Sequence, residues 1–281
     1  MVAYLFPGQG SQAEGMGAGL FERFKDMTDQ ADSVLGYSIE ELCSKNPDNR
    51  LSKTEFTQPA MFVVNTLSYM GRLYDTGKMP DSVAGHSLGE YNALLAAGVF
   101  DFTTGLRLVQ KRGELMAGAS GGSMAAVMGL SAERVEEVIA SSGIEGVSVA
   151  NYNAPKQTVI SGSRSSIEKL ENHFMEEGAG FLILNVSGAF HTQWMAAAQD
   201  EFSTFIASFE FHSPAMPVIS NLSAEPYSSD NLKDNLKNQI SCPVRWTESM
   251  KYLLSTGEKE FVEVGPGAVL TGLIEKARQS I

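Results

Sequence analysis

The sequence predicts an α/β protein: a body of alternating strands and helices around a mostly parallel sheet, interrupted by an inserted ferredoxin-like βαββαβ unit. Three observations carry this reading. Short apolar runs closed by Gly or Pro alternate with stretches of helical period. Gly85-His86-Ser87-Leu88-Gly89 fits G-x-S-x-G, a sharp strand-to-helix turn that exposes its serine. From Met124 to Val186, strand and helix patterns follow in the order β-α-β-β-α-β.

Taken in order, Val2–Phe6 is a short apolar run closed by Pro7 and Gly8, the pattern of a buried strand. A helix is expected from about Gln12 to Leu35, with Leu20, Phe21, Phe24 and Met27 on one face. Another spans Phe56–Gly77, with Pro59 near its first turn and Gly77 just past its end. "DSVAGHS" supplies a strand and "LGEYNALLAAGVF" a helix whose first N–H groups point toward Ser87. Phe102–Ala119 is again helical. The texture changes after Ser120–Gly122. Met124–Leu130 reads as a strand, and Ser131 caps the helix "SAERVEEVIASSG". Strands at Val147–Asn151 and Gln157–Gly162 flank a turn holding Asn153 and Pro155. A helix ending at Gly178 and a strand Phe181–Val186 complete the unit. The body then resumes with a helix Gln193–Phe209 and strands Met216–Asn221 and Glu260–Gly265. The expected division is a body of residues 1–122 and 188–281 and an insert of 123–187.

Bulk composition narrows the function. The formal net charge of −12 disfavours nucleic acid or an anionic membrane surface as partner. The only cysteines, Cys43 and Cys242, lie far apart, which argues against a disulfide framework or structural zinc and for a reducing compartment. No apolar run approaches the roughly 18 residues of a membrane helix, and the N-terminus lacks a basic leader. A cytoplasmic protein is expected.

Three signals could carry chemistry. A serine hydroxyl needs a base, a group orienting that base, and oxyanion donors. Of the four histidines, His86 adjoins Ser87, where elbow side chains point apart; His173 lies in an amphipathic helix, and His212 has no special context. His191 closes "NVSGAFH", where the insert rejoins the body, and is the best candidate base; a structural histidine is the alternative. Second, Gly8–Ala13 formally fits the dinucleotide fingerprint G-x-G-x-x-G/A. The acidic residue that fingerprint expects about 20 residues on falls in a charged amphipathic helix instead. A glycine-rich loop bringing backbone N–H groups and Gln9 near Ser87 is the better reading, with a plain tight turn as the alternative. Third, Arg112 beside Lys111 is either a solvated helix residue or, inside an acyl site, a bidentate clamp for a carboxylate.

Together, "FPGQGSQ", "TQPA", "GHSLGEYNAL", "QKRGELM", "GAFH", "CPVRW" and "EVGPGAVLTGLI" resemble the malonyl-CoA:acyl carrier protein transacylase family, in family order and across essentially the whole chain. The resemblance implies an α/β-hydrolase-like body with a ferredoxin-like insert and a site in the cleft between them. It further implies Ser87 as nucleophile, His191 as base, and the N–H groups of Leu88 and Gln9 as oxyanion hole. The histidine would be oriented by the main-chain carbonyl of Gln239 rather than by an acid, and Arg112 would grip the malonyl carboxylate. Phe190 in "GAFH" resembles the loops of malonyl-selective members, whereas methylmalonyl-selective polyketide domains tend to carry "YASH". Substrates would be malonyl-CoA and the phosphopantetheine thiol of acyl carrier protein domains, with no metal or redox cofactor and a monomeric enzyme. "ADSVLGYSIEELC" and "PVISNLSAEPY" look like discrete, trans-acting polyketide acyltransferases. The alternatives are the fatty-acid housekeeping transacylase and a thioesterase that hydrolyses stalled acyl groups, a branch that tends to lack the arginine.

Overall fold

A computed structural model describes residues 1–186 and 188–279 of the 281. Chain order is β1 (Val2–Phe6), α1 (Leu20–Arg23), α2 (Lys25–Leu35), α3 (Ile39–Lys45), α4 (Thr54–Thr76), β2 (Ser82–Gly85), α5 (Gly89–Ala96) and α6 (Phe102–Gly118). There follow β3 (Gly122–Met128), α7 (Ala132–Ser141), β4 (Ser148–Ala154), β5 (Gln157–Ser163), α8 (Arg164–Glu176) and β6 (Gly180–Ile183). The chain closes with α9 (Ala196–Ile206), β7 (Val218–Ile219), α10 (Leu232–Gln239), α11 (Trp246–Ser255), β8 (Glu260–Glu263) and α12 (Val269–Arg278).

The first sheet has the order β7-β2-β1-β8, and every pairing in it is parallel. Its two central strands, β1 and β2, are buried on both faces because helices cover both. Tyr4, Phe6, Val83 and Val218 pack with Leu67 of α4, Leu94 of α5 and Leu106 of α6. The alternating Ala3, Leu5, Ala84 and Ile219 pack with Trp246 and Met250 of α11 and Leu273 of α12. The period of two along each strand thus divides the core into two layers. The second sheet is antiparallel with the order β4-β5-β3-β6. Numbered within the insert, that is second-third-first-fourth, as a βαββαβ unit requires for both helices to cover one face. Val135 of α7 and Ile167, Leu170 and Phe174 of α8 build its separate core with Ala125, Val127 and Ile160. The insert is latched to the body through β4: Val244 N–H donates to the Ala150 carbonyl (2.9 Å) and Tyr152 N–H to the Val244 carbonyl (2.9 Å). The expected insert boundary at Ser187 lies outside the described residues.

Several expected elements change extent. The helix expected from Gln12 starts only at Leu20, because Gly15, Gly17 and Gly19 all take positive φ (86°, 78° and 77°), and it breaks at Phe24. Asn153 is within β4, so the turn to β5 contains only Pro155 and Lys156. The expected strand Phe181–Val186 ends at Ile183, and Met216–Asn221 contracts to Val218–Ile219. Gln193–Met195 is a 3₁₀ turn before α9, which itself stops at Ile206. Helices α3, α10, α11 and α12 were not anticipated. No helix among the described residues is long and apolar enough to cross a membrane.

Candidate active site

Ser87 sits between β2 and α5 with φ 50°, the left-handed region a serine rarely enters. Such a sharp turn brings strand and helix backbones together. A Cβ on Gly85 would lie 1.9 Å from the Gly89 carbonyl carbon, and one on Gly89 would lie 2.0 Å from the Phe6 carbonyl oxygen. Both glycines are therefore steric requirements of the elbow. Asn221, just beyond β7, fixes it further: its Oδ1 accepts the Ser87 N–H at 2.7 Å, and its Nδ2 donates to the Gly85 carbonyl at 2.7 Å. The Leu88 and Gln9 N–H groups donate to no acceptor among the described residues, which leaves both available to a ligand oxygen. Gln9 is held by its side-chain Nε2, which donates to Thr54 Oγ1 at 3.1 Å.

His191 Nε2 lies 2.7 Å from Ser87 Oγ. Its Nδ1 lies 2.8 Å from the main-chain carbonyl oxygen of Gln239. A carbonyl only accepts, so the proton resides on Nδ1 and the Nε2 lone pair faces the serine. The residue has φ 59°, and its own N–H donates to the Ile240 carbonyl at 3.2 Å. Burial, reinforced by the Arg112 charge, pushes the imidazole down to about 3, so it rests neutral. The other histidines stand apart from the serine hydroxyl. His86 turns to Asn153 Oδ1 (2.7 Å) and against the Trp246 ring, His173 is half-buried on α8, and His212 is exposed.

Arg112 is 1% exposed, so it is no solvated helix residue. Its Nη1 donates to Gln58 Oε1 (2.7 Å), and its Nη2 to Gln239 Oε1 (2.9 Å) and to Ser87 Oγ (3.0 Å). Its Nε is buried with no partner, and the guanidinium lies 5.6 Å from the Tyr91 ring centre. An arginine fork with a spare buried N–H beside a nucleophile is equipped to receive a carboxylate. Ser87, Arg112, His191, Phe190 and Gln9 line a cavity of about 200 Å³ between body and insert, closed on the insert side by Asn153 and Val159. Phe190 itself is buried.

All seven expected residues, Gln9, Ser87, Leu88, Arg112, Phe190, His191 and Gln239, therefore converge on one place. Sequence reasoning missed Gln58, Glu90, Asn153 and Asn221. Three of them had a faint signal: Gln58 and Glu90 are polar residues within otherwise apolar helical runs, and Asn221 ends an apolar strand pattern. Glu90 is fully buried and accepts from Asn221 N–H (2.8 Å), the Tyr227 hydroxyl (2.7 Å) and Gln239 Nε2 (2.5 Å). Burial raises its carboxyl to about 7 against the pull of those donors and of Arg112. No group of three or more His, Cys, Asp or Glu among the described residues could hold a metal.

A Ser–His pair with its histidine buried and two idle N–H groups beside it is acyl-transfer machinery. The family model described as the acyl transferase domain matches residues 3–281. The chain belongs to the acyl transferase family. Among its acyl transferase relatives, the polyketide biosynthesis malonyl CoA-acyl carrier protein transacylase BaeC of Bacillus velezensis is 54% identical, covering 99% of this chain and 97% of its own. A crystal structure of malonyl CoA-acyl carrier protein transacylase from Burkholderia pseudomallei is 49% identical with a TM-score of 0.98, over 100% of this chain and 99% of that one. A type II polyketide synthase acyl carrier protein in complex with its malonyl-transacylase matches with a TM-score of 0.94 at 36% identity, over 99% of this chain and 93% of that one. These likenesses agree with the α/β body and inserted antiparallel sheet expected from sequence.

Proposed function

We propose that this acyl transferase moves malonyl from malonyl-CoA, through an ester on Ser87, to the phosphopantetheine thiol of acyl carrier protein domains, in trans for a polyketide synthase. The observation that carries the reading is that Ser87 Oγ lies within hydrogen-bond reach of both His191 Nε2 and Arg112 Nη2. A malonyl ester places its carboxylate carbon three bonds from Oγ, so a cation beside the nucleophile meets that charge. The names of the transacylase relatives support the substrate and the polyketide assignment.

In the first half-reaction Ser87 Oγ attacks the thioester carbon and its proton passes to His191 Nε2. The tetrahedral oxyanion takes the Leu88 and Gln9 N–H groups, donors of a kind whose loss costs roughly 10²–10³ in rate. The C–S bond breaks, and CoA leaves as a thiol with the proton from His191. Malonyl stays on Ser87 with its carboxylate on Arg112, while Phe190 crowds a substituent on the α-carbon. The carrier thiol then gives its proton to His191, its sulfur attacks the ester carbon, and Ser87 leaves with that proton. The cycle uses side chains, main-chain N–H groups and two thiols, without a resident metal or cofactor. One chain holds the complete set, so a monomer suffices. Free Cys43 and Cys242 and the net charge of −12 fit a cytoplasmic enzyme without nucleic-acid or membrane partners.

The test is incubation with labelled malonyl-CoA. The expected result is one stable ester per chain that moves to added holo-carrier protein and is absent in Ser87→Ala. Rapid release of free malonate would instead establish a hydrolase.

A further inference from the structure

Glu90 is a buried carboxylate that the acyl-transfer steps above do not use. It lies in the first turn of α5, and its side chain is completely enclosed. Buried carboxylates are rare unless every oxygen is occupied, and here both are. Oε1 takes the Asn221 N–H and the Tyr227 hydroxyl, and Oε2 takes the Gln239 side-chain N–H. Two of these partners govern the reacting groups. The Asn221 side chain holds the Ser87 N–H, which sets the elbow. Gln239 touches the site three times: its main-chain carbonyl takes His191 Nδ1, its Oε1 takes Arg112 Nη2, and its Nε2 also donates to the Ser87 carbonyl at 2.7 Å.

The polarity of this relay has one solution. Arg112 only donates, so Gln239 must turn Oε1 toward it and Nε2 toward Glu90. Nε2 then faces two acceptors, the Glu90 carboxylate and the Ser87 carbonyl. Turning the amide over would set N–H against guanidinium and oxygen against two oxygens. With the amide turned this way, the group that Nε2 meets at Glu90 Oε2 must be an acceptor.

We propose that Glu90 is the positioning residue of this active site, the buried anion that locks Gln239 and Asn221 so that base, arginine and nucleophile share one geometry. The proposal rests on the Ser87–His191–Arg112 reading. Glu90 acts through Gln239 and Asn221, and it balances the buried Arg112 cation across the Gln239 amide. The groups facing it are Arg112 from α6, Tyr91 on its own helix and Tyr227 from the loop after β7, with His191 beyond Gln239. Its carboxyl, raised to about 7, takes a proton well before His191, held near 3. A proton on Oε2 would meet the Gln239 N–H and break the relay. Acid loss of activity near neutrality therefore reports Glu90.

The experiment is single-turnover acylation from malonyl-CoA, from pH 5.5 to 8.5, for the parent chain, Glu90→Gln and Tyr227→Phe. Glu90→Gln sets an amide N–H against either the Gln239 N–H or the Asn221 N–H, since one amide cannot accept at both ends. Its maximal acylation rate should fall about 100-fold, the effect of misplacing a reacting group by about 1 Å. The half-saturating malonyl-CoA concentration should move less than about threefold, because Gln58 still holds Arg112. The acid limb should vanish, and the downfield proton resonance of His191 Nδ1–H should shift or broaden. Tyr227→Phe removes one donor from the carboxylate, so its acid limb should move to higher pH in a folded enzyme. A Glu90→Gln rate within threefold of the parent, with the limb retained, overturns the proposal. So does an unmoved limb in Tyr227→Phe, which decides the matter if Glu90→Gln does not fold. Failure of the underlying reading looks different: the parent itself would form no Ser87 ester.

Discussion

Arg112→Ala separates a carboxylate clamp from a merely structural arginine. In the resting enzyme the guanidinium spends its Nη donors on Gln58, Gln239 and Ser87 Oγ, and its Nε–H has no protein acceptor. Acylation removes the free hydroxyl of Ser87, which releases an Nη2–H just as a carboxylate arrives. One charge-assisted contact is worth about 1.5–3 kcal/mol, and a two-point contact falls at the upper end. About 3 kcal/mol corresponds to a loss of roughly 150-fold in kcat/KM. Truncation also strips Gln239 and Gln58 of their donor and leaves the Glu90 anion unbalanced, which harms every acyl donor alike. The informative quantity is therefore the ratio of kcat/KM for malonyl-CoA to that for acetyl-CoA, in which the common damage cancels. That ratio should fall about 150-fold in Arg112→Ala, with acetyl transfer losing far less. An unchanged ratio, with both substrates losing equally, would refute the clamp and leave Arg112 as a structural cation.

Phe190→Ala should raise methylmalonyl-CoA use relative to malonyl-CoA about tenfold or more in direct competition, since a methyl-sized clash is worth about 1–3 kcal/mol. Gly89→Ala drives a Cβ to 2.0 Å from the Phe6 carbonyl oxygen, so denaturant unfolding should show a loss of about 3 kcal/mol or more, or no folded protein. Acidification tests the buried pair. His191 at about 3 refuses a proton that the unfolded chain accepts near 6.5, so its contribution is present above 6.5 and is lost as the pH falls. Glu90 at about 7, against an ordinary 4.5, does the reverse, stabilising below 4.5 and losing that as pH rises through 7. Between pH 7 and 5 each effect works out at about 2 kcal/mol and they oppose, so Glu90→Gln should lose about 2 kcal/mol more on acidification than the parent. Parallel pH-stability curves for the two proteins would contradict this.

The parts of the fold legible in sequence are those where local chemistry and tertiary context agree. Val2–Phe6 is apolar throughout because both its faces are buried, and Ser131 caps α7 by accepting the Arg134 N–H, as its spacing predicted. Reading failed where tertiary contacts decide. Residues 12–19 carry helical spacing, yet three glycines in the left-handed region turn them into a loop. Helices α10 and α11 flank "SCPVRW", where Pro243 and a buried Trp246 mask the period. At the site, Ser87 and Arg112 came from short motifs. Glu90, Asn221 and Gln58 act by touching residues 131, 149 or 54 positions away, and no local pattern encodes such pairs.

The Gln239 carbonyl in place of a triad acid bears on transfer against hydrolysis. A carboxylate behind the imidazole would stabilise the imidazolium and strengthen the base. Here the orienting group is neutral, burial is complete, and Arg112 adds a repelling charge, so His191 is a weak base. A weak base suffices for a carrier thiol, whose proton is lost near pKa 8.5. It is poorly matched to water at about 16, whereas the Ser87 hydroxyl, no stronger an acid, gives up its proton beside the Arg112 Nη2 donor at 3.0 Å. Both acceptors can reach the same ester, but the one that needs little help from His191 is the thiol. The geometry that leaves no acid behind the histidine therefore favours a malonyl ester that waits for its carrier.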